Sequence, residues 1–481
     1  MHLAQAGASW DGQLRNSQGT VKSFLPWDVA GAAATLLRRG QRRGRVASAK
    51  ELERFVADFT LLDHPVEHAG DTEALLRMVS RGLSSQWLFQ RYPLNTIART
   101  VALFEQTPLP DGRPFKVLRP GWQERLLGSS VSDYCSAGFL MNALASQGLP
   151  YPFTWSDADL PLIFPDQDSN DMFDEIVRRH FLTTTERFLD PIPRLAEAAE
   201  AWGVEEFDLE PWGFNLLQDR PFVGGISRGS WIAPCAPIVL QKASATSIAY
   251  AGLKYFDNAF TDELGHLFQA YIGRHLSLIE GVDLYPEISF TRSKQLKHSA
   301  DWILVTPAAT FLIECKSAFP DASIREGRAT MLEPYRRVIG KGIDQINKTA
   351  TLIRQNAPEF AGVPVNRPII GLVVTLGDYD LANNEGLRSE LTPAKIPIAA
   401  VSSEFLERLA GHPVAVWNRI ASLGQSAVGA SNAFEVRHVL DSHRPRRNPI
   451  IDGAWNSIPI VQRLGSRLNG YEADRAAPAW I

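Results

Sequence analysis

One stretch restricts what this chain can fold into more than any other: Ser299 through Ser317, which reads as a β-hairpin of two apolar strands turning near Pro307-Ala308-Ala309. Residues two apart in a strand share a face, so Glu314 and Lys316 point together while Phe311, Ile313 and Cys315 point the other way. Asp301 stands at the outer end of the first strand. If Val305 pairs with Thr310, Asp301 lies opposite Glu314; if Thr306 pairs with Phe311, it lies opposite Lys316. Both registers bring the two acids and the lysine to one side, with opposed Cβ atoms about 5 Å apart and diagonal ones roughly 7–8 Å apart. An odd slip would set Asp301 across from Cys315 and disperse the group.

The rest of that face is apolar (Ile303, Val305, Leu312), so the charges stand at the exit of a core-like surface and need partners or a metal. Two carboxylates and a lysine on one sheet face can hold a hard divalent ion and organise phosphodiester hydrolysis.

The elements around the hairpin come in a clear order. A helix is expected from about Ser247 to Ile279 and a strand from Leu284 to Phe290. The hairpin comes next, then a loop and a helix from about Ile343 to Gln355. The continuous apolar run Pro368 to Leu376 reads as a buried strand. The order α-β-β-β-α-β predicts a mixed α/β sheet flanked by helices. On the first helix, at 100° per residue, Phe260, Leu264, Leu267 and Tyr271 form an apolar stripe. Glu263 falls on its shoulder and Asp262 faces water, so Glu263 is the acid that could lean over the sheet edge toward Asp301.

Asp301, Glu314 and Lys316, with this order of elements, resemble the motif and core of the PD-(D/E)XK nuclease superfamily, whose fold is restriction-endonuclease-like. The resemblance covers roughly residues 247–376, and Ala300 stands where the motif has proline. It implies that Asp301 and Glu314 bind Mg²⁺ or Mn²⁺ and that Lys316 positions the attacking water. It also implies that Glu263 completes the metal shell, as the extra helix acid of some members does, and that Gln345 holds a phosphate oxygen or the water. The implied activity is that of a metal-dependent nuclease, an Mg²⁺-dependent endonuclease or phosphodiesterase, with DNA preferred over RNA as partner. A sizeable accessory domain on such a core suits a restriction or anti-phage defence enzyme, by association alone.

A formal net charge of −4 gives no global attraction to nucleic acid, so contacts must come from local basic groups. Arg292 and Lys297 lead into Asp301, and Arg325, Arg328 and Lys341 come after Lys316, so both flanks of the acidic centre are basic. Two further clusters are Arg38 to Arg45 and His443 to Arg447. Three scattered cysteines indicate neither a disulfide framework nor a zinc site, and no apolar run is long enough to span a bilayer, so a cytoplasmic setting is the expectation. No Walker-type loop and no H-E-x-x-H spacing occurs.

The 481 residues divide, on texture, into a mainly helical accessory region (1–220), a linker or short strands (221–246), the nuclease-like region (247–400) and a C-terminal helix and extension (401–481). Two rival functions share these features. One is a nucleic-acid-binding scaffold that kept the fold and lost turnover; the other is a nuclease subunit active only in a complex. A homodimer or another protein partner is compatible with each.

Overall fold

The structure is a computed structural model. It describes residues 13–15, 21–23, 26–40, 47–59, 72–86 and 93–465, apart from 113, 157–158, 191–195, 198, 201–214, 293, 329, 428–430, 442 and 444–445. A short hairpin near the N-terminus supplies β1 (Gln13–Arg15) and β2 (Val21–Ser23). A three-stranded sheet comes next, with β3 (Leu182–Thr184), β4 (Phe222–Ser227) and β5 (Ser230–Ile232).

A five-stranded sheet forms the centre. It holds β6 (Asp283–Pro286), β9 (Trp302–Val305), β10 (Thr310–Lys316), β11 (Ile369–Thr375) and β12 (Ile398–Ser402). Their spatial order is β12-β11-β10-β9-β6. The β9 strand runs antiparallel to both β6 and β10, while β11 and β12 add on in parallel, which makes the sheet mixed. Beside the sheet stands a separate two-stranded ribbon, β7 (Ser289–Arg292) with β8 (Gln295–His298).

The helices that bear on the site and its support are α1 (Pro93–Phe104), α2 (Val131–Ser146), α3 (Ala245–Phe256), α4 (Asn258–Leu276), α5 (Lys341–Arg354), α6 (Ser403–Ala410), α7 (Val414–Gln425) and α8 (Pro449–Ser457). The pleat divides β9 and β10 between two cores. Leu304, Phe311 and Ile313 face α4, joined there by the Leu264–Leu267–Tyr271 stripe. Ile303, Val305 and Leu312 face α5 with Ile343, Ile346 and Ala350. Two glycines let the helices close in. A Cβ at Gly273 on α4 would collide with the Trp302 ring, and one at Gly342 on α5 would sit 2.9 Å from Val373.

Several expectations change. The long helix expected from 247 to 279 breaks at Asp257, whose backbone turns through φ 58, giving α3 and α4. The strand expected over 284–290 ends at Pro286, and Ser289 and Phe290 belong to the ribbon. Residues 221–246 hold β4, β5 and a buried helical turn, Ala236–Gln241. The main hydrophobic cluster runs from Ile97 to Val461, across the boundary expected near 220. The C-terminal part supplies Trp417 and Trp455, both buried, with Trp417 edge-on to Phe311 of β10.

Candidate functional site

The register of the hairpin is settled by Val305 pairing with Thr310 and Trp302 with Ile313, so the next pair outward is Asp301 with Glu314. Asp301 therefore shares a face with Ile303, Glu314 with Leu312, and both charges lie on the α5 side. At this rung the main chain of β9 departs, and the Asp301 side chain continues the ladder. Its Oδ2 accepts the Cys315 backbone N–H at 2.6 Å. One Asp301 oxygen is thus fixed by β10 itself.

Glu314 is 5 % exposed. Its Oε1 accepts from Lys316 Nζ at 2.7 Å, while Oε2 is buried with no hydrogen-bond partner. Burial, and then the facing Asp301 charge, push the Glu314 carboxyl up to about 8, against the opposing pull of Lys316. Burial likewise lifts Asp301 to about 6, although the Cys315 N–H and Lys316 favour its charged form. For Lys316, burial works against the ammonium, and the Glu314 carboxylate more than restores it, leaving the group raised. With both carboxyls ionised beside one ammonium the group would carry one negative charge too many, so a proton is held there, in a place that a divalent ion could take.

The donor set fits a hard cation: carboxylate oxygens, one of them buried and unpartnered at Glu314. Asp301 and Glu314 would hold Mg²⁺ or Mn²⁺. Among the described residues no group of three or more His, Cys, Asp or Glu side chains is drawn together at metal-ligand spacing. The acids lean on protein donors instead.

Gln345 reaches this end of the sheet from α5, where its Nε2 donates to the carbonyls of His298 and Ser299, each at 2.8 Å. Thr349, one turn further along α5, accepts the Ala300 N–H at 2.8 Å through Oγ1. Both side chains fix the backbone that enters Asp301, so Gln345's amide protons serve the chain here, where the sequence pointed to a phosphate oxygen or a water.

Glu263 is placed elsewhere. It belongs to α4, which packs on the opposite face of the sheet, where the Trp302 indole donates to the Gln269 carbonyl at 3.0 Å. Its carboxylate accepts three successive backbone N–H groups, from Lys116 at 2.5 Å, Val117 at 3.0 Å and Leu118 at 2.7 Å. The helical stripe correctly put Glu263 on the border of the apolar face. What that face touches was beyond reach, because residues 116–118 are far away in sequence.

The basic residues divide similarly. Arg292 and Lys297 lie exposed on the ribbon, and Lys341 is exposed at the start of α5. Arg325 is half-buried, bonded to Gln218 and lying 5.8 Å from the centre of the Tyr250 ring. Arg328 pairs with Glu326. Of the arginine cluster at 38–45, Arg42, Arg43 and Arg45 lie outside the described residues, as does Arg444; Arg38 donates to the Phe188 carbonyl at 3.1 Å.

A further acid, not evident from the sequence, approaches this group: Glu287, directly after β6. Its charge acts on Asp301, and its Oε1 lies 3.5 Å from His298 Nδ1. The signal that could have found it was the pairing of a third strand with β9, which nothing local in the sequence specifies. No family model matches the chain, and neither a curated protein nor a solved structure matches it.

Proposed function

We propose that this protein is a metal-dependent nuclease that hydrolyses phosphodiester bonds of nucleic acid, DNA in preference to RNA, on a PD-(D/E)XK-type core. The observation that carries the reading is the rung joining Asp301 and Glu314 beside Lys316, with one buried Glu314 oxygen lacking a partner. A bound Mg²⁺ or Mn²⁺ would supply Lewis-acid neutralisation of the charge that builds on the phosphate.

The chain's own residues have distinct parts. Asp301, tied to β10 through the Cys315 N–H, would offer its other oxygen to the ion. Glu314 offers Oε2 from a buried position. Lys316, half-buried and cationic, would orient the attacking water and stabilise negative charge on the phosphoryl oxygens. Gln345 and Thr349 hold the 298–300 backbone and so the direction in which Asp301 points.

Nucleic acid needs a track to this centre. The β7–β8 ribbon presents Arg292, Lys294 and Lys297 to solvent and returns to the sheet at Ser299, two residues before Asp301. A two-stranded ribbon has the width that a DNA major groove admits. Cys135, Cys235 and Cys315 are all free thiols, which suits a reducing compartment such as the cytoplasm.

The test is cleavage of plasmid and single-stranded DNA with and without Mg²⁺, comparing wild type with Lys316→Ala and Asp301→Asn. Loss of the lysine should slow cleavage by about 10²–10³-fold, the scale of one removed charge-stabilising donor. Asp301→Asn should bring it to background. Folded protein that cuts equally well after both changes would remove the assignment.

A further inference from the structure

The loop that follows Lys316 leads to a second surface, on the solvent side of α3. Tyr250 of α3 donates its hydroxyl to the Pro320 carbonyl, and its ring centre lies 4.1 Å from that of Phe319. The Arg325 guanidinium stands over the Tyr250 ring. Lys254 comes one turn later on the same helix, about 6 Å along its axis. Residues four apart share a helix face, so Lys254 extends the line that Tyr250 and Arg325 begin.

Other cations gather around Lys254. The turn Leu216–Gln218 lies alongside, with Gln218 bonded to Arg325, and the next residue, Asp219, pairs with Lys242 at 3.0 Å. The Lys254 and Arg220 charges act on both members of that pair. Arg179 donates to the Arg125 carbonyl at 3.1 Å, and the Arg125 guanidinium lies 5.1 Å from the centre of the Phe256 ring. His180 feels the same cations. Burial holds its imidazole down at about 4 against the Leu127 carbonyl, and Lys242, Arg179 and Arg220 push the same way as burial. Among the described residues, Arg125, Arg179, Arg220 and Lys254 form no ion pair. The other exposed acids beside them in the chain, Glu124, Glu175 and Asp257, pair with none of them. A protein of net charge −4 thus concentrates unpaired positive charge at this place.

One aromatic ring stands out among these cations. Tyr255 follows Lys254 and is 57 % exposed, set edge-on to Phe256 with ring centres 4.6 Å apart. The ribbon differs here, since its one aromatic ring, Phe290, is buried. Cations answer a phosphate backbone of any kind. An exposed ring answers an unstacked base, which a single strand offers and a duplex keeps hidden.

We propose that this face of α3 binds single-stranded DNA, with Tyr255 stacking on a base and Lys254, Arg220 and Arg125 holding its phosphates. The proposal deepens the nuclease reading and rests on it for the choice of DNA. The strand would run from Tyr255 past Tyr250 and Arg325 to the 317–320 loop, and so toward Lys316.

Fluorescence anisotropy of a labelled thymidine oligonucleotide, with the full-length protein in chelator, tests this apart from turnover. Tyr255→Ala should weaken binding by about fivefold or more, the lower end of base–aromatic stacking, and Tyr255→Phe should keep it. Lys254→Ala should make the slope of log affinity against log salt shallower by about 0.7, the share of one phosphate contact on a single strand. Tyr255→Ala should leave affinity for a duplex of the same length unchanged. Folded variants with wild-type affinity and salt dependence would overturn the proposal, as would an equal loss on duplex in Tyr255→Ala. An effect of Lys254→Ala without one of Tyr255→Ala would reduce the patch to unspecific attraction and equally overturn it. Single-strand binding of the expected pattern in a protein that never cleaves DNA would uphold this surface while defeating the catalytic reading.

Discussion

Asp301 and Glu314 are two facing carboxyls whose burial is poorly compensated. Their carboxyls ordinarily titrate at 3.8 and 4.5, and in the fold they rise to about 6 and about 8. Burial is the largest cause in each, seconded for Glu314 by the Asp301 charge. A carboxyl raised on folding binds its proton more tightly in the native chain than in the unfolded one. Its contribution to stability is complete below the unfolded value and is lost as pH climbs through the folded one. Metal-free protein should therefore melt at a lower temperature at about pH 9 than at about pH 5, and Glu314→Gln should flatten that slope. Thermal melts in the presence of a chelator check this, and an unchanged slope in the variant would contradict it. On the proposed cation-dependent reading Mn²⁺ would displace these protons, so its affinity should rise over the same window.

Single elements explain why some of the site was readable in the sequence and some was not. The hairpin was legible because alternation and a short turn are local. Strand parity fixed which face Asp301, Glu314 and Lys316 share, though not which of two even registers they take. The break at Asp257, the end of β6 at Pro286 and the strand β12 were not legible. Each depends on a partner distant in sequence or packed from another element: Phe260 beneath Gly252, Trp302 opposite Pro286, and Gly371 beside Ile398. The same reason hid the approach of Glu287 to Asp301, which appears only once β6 is laid against β9. Helix α4 offers a direct check on how the scaffold holds the site. Gly273 lets α4 lie against Trp302, the residue after Asp301. Gly273→Ala should cost about 1–3 kcal/mol through overpacking and lower cleavage by displacing β9. Chemical denaturation measures the first effect; unchanged stability would mean that the helix can move away freely.

On the scale of the whole molecule, the site-bearing sheet is embedded rather than appended. One core cluster joins α1 and α2 from the first half of the chain to α4, β10, α7 and α8 from the second. A buried ionic knot ties the same parts together. Arg99 of α1 donates through Nε to Glu407 of α6 at 2.7 and 2.9 Å, and Tyr271 of α4 donates to Glu407 at 2.8 Å. Asn448, just before α8, donates to the Glu407 carbonyl at 2.8 Å and contacts His275 Nδ1 at 2.9 Å. Such knots contribute more to a unique arrangement than to net stability, since desolvation offsets much of the attraction. Here the arrangement fixes α4 on one face of the sheet and leaves the other to α5 and the acidic rung. Among the described residues no helix is long and apolar enough to cross a membrane.

The most direct test of the cation site is anomalous diffraction from crystals grown with Mn²⁺. A peak is expected on the α5 face, within about 2.1 Å of carboxylate oxygens of Asp301 and Glu314, with Lys316 beside it. Fully occupied crystals that place the ion elsewhere, or that leave Glu314 Oε2 without a cation while the protein cuts DNA, would contradict it.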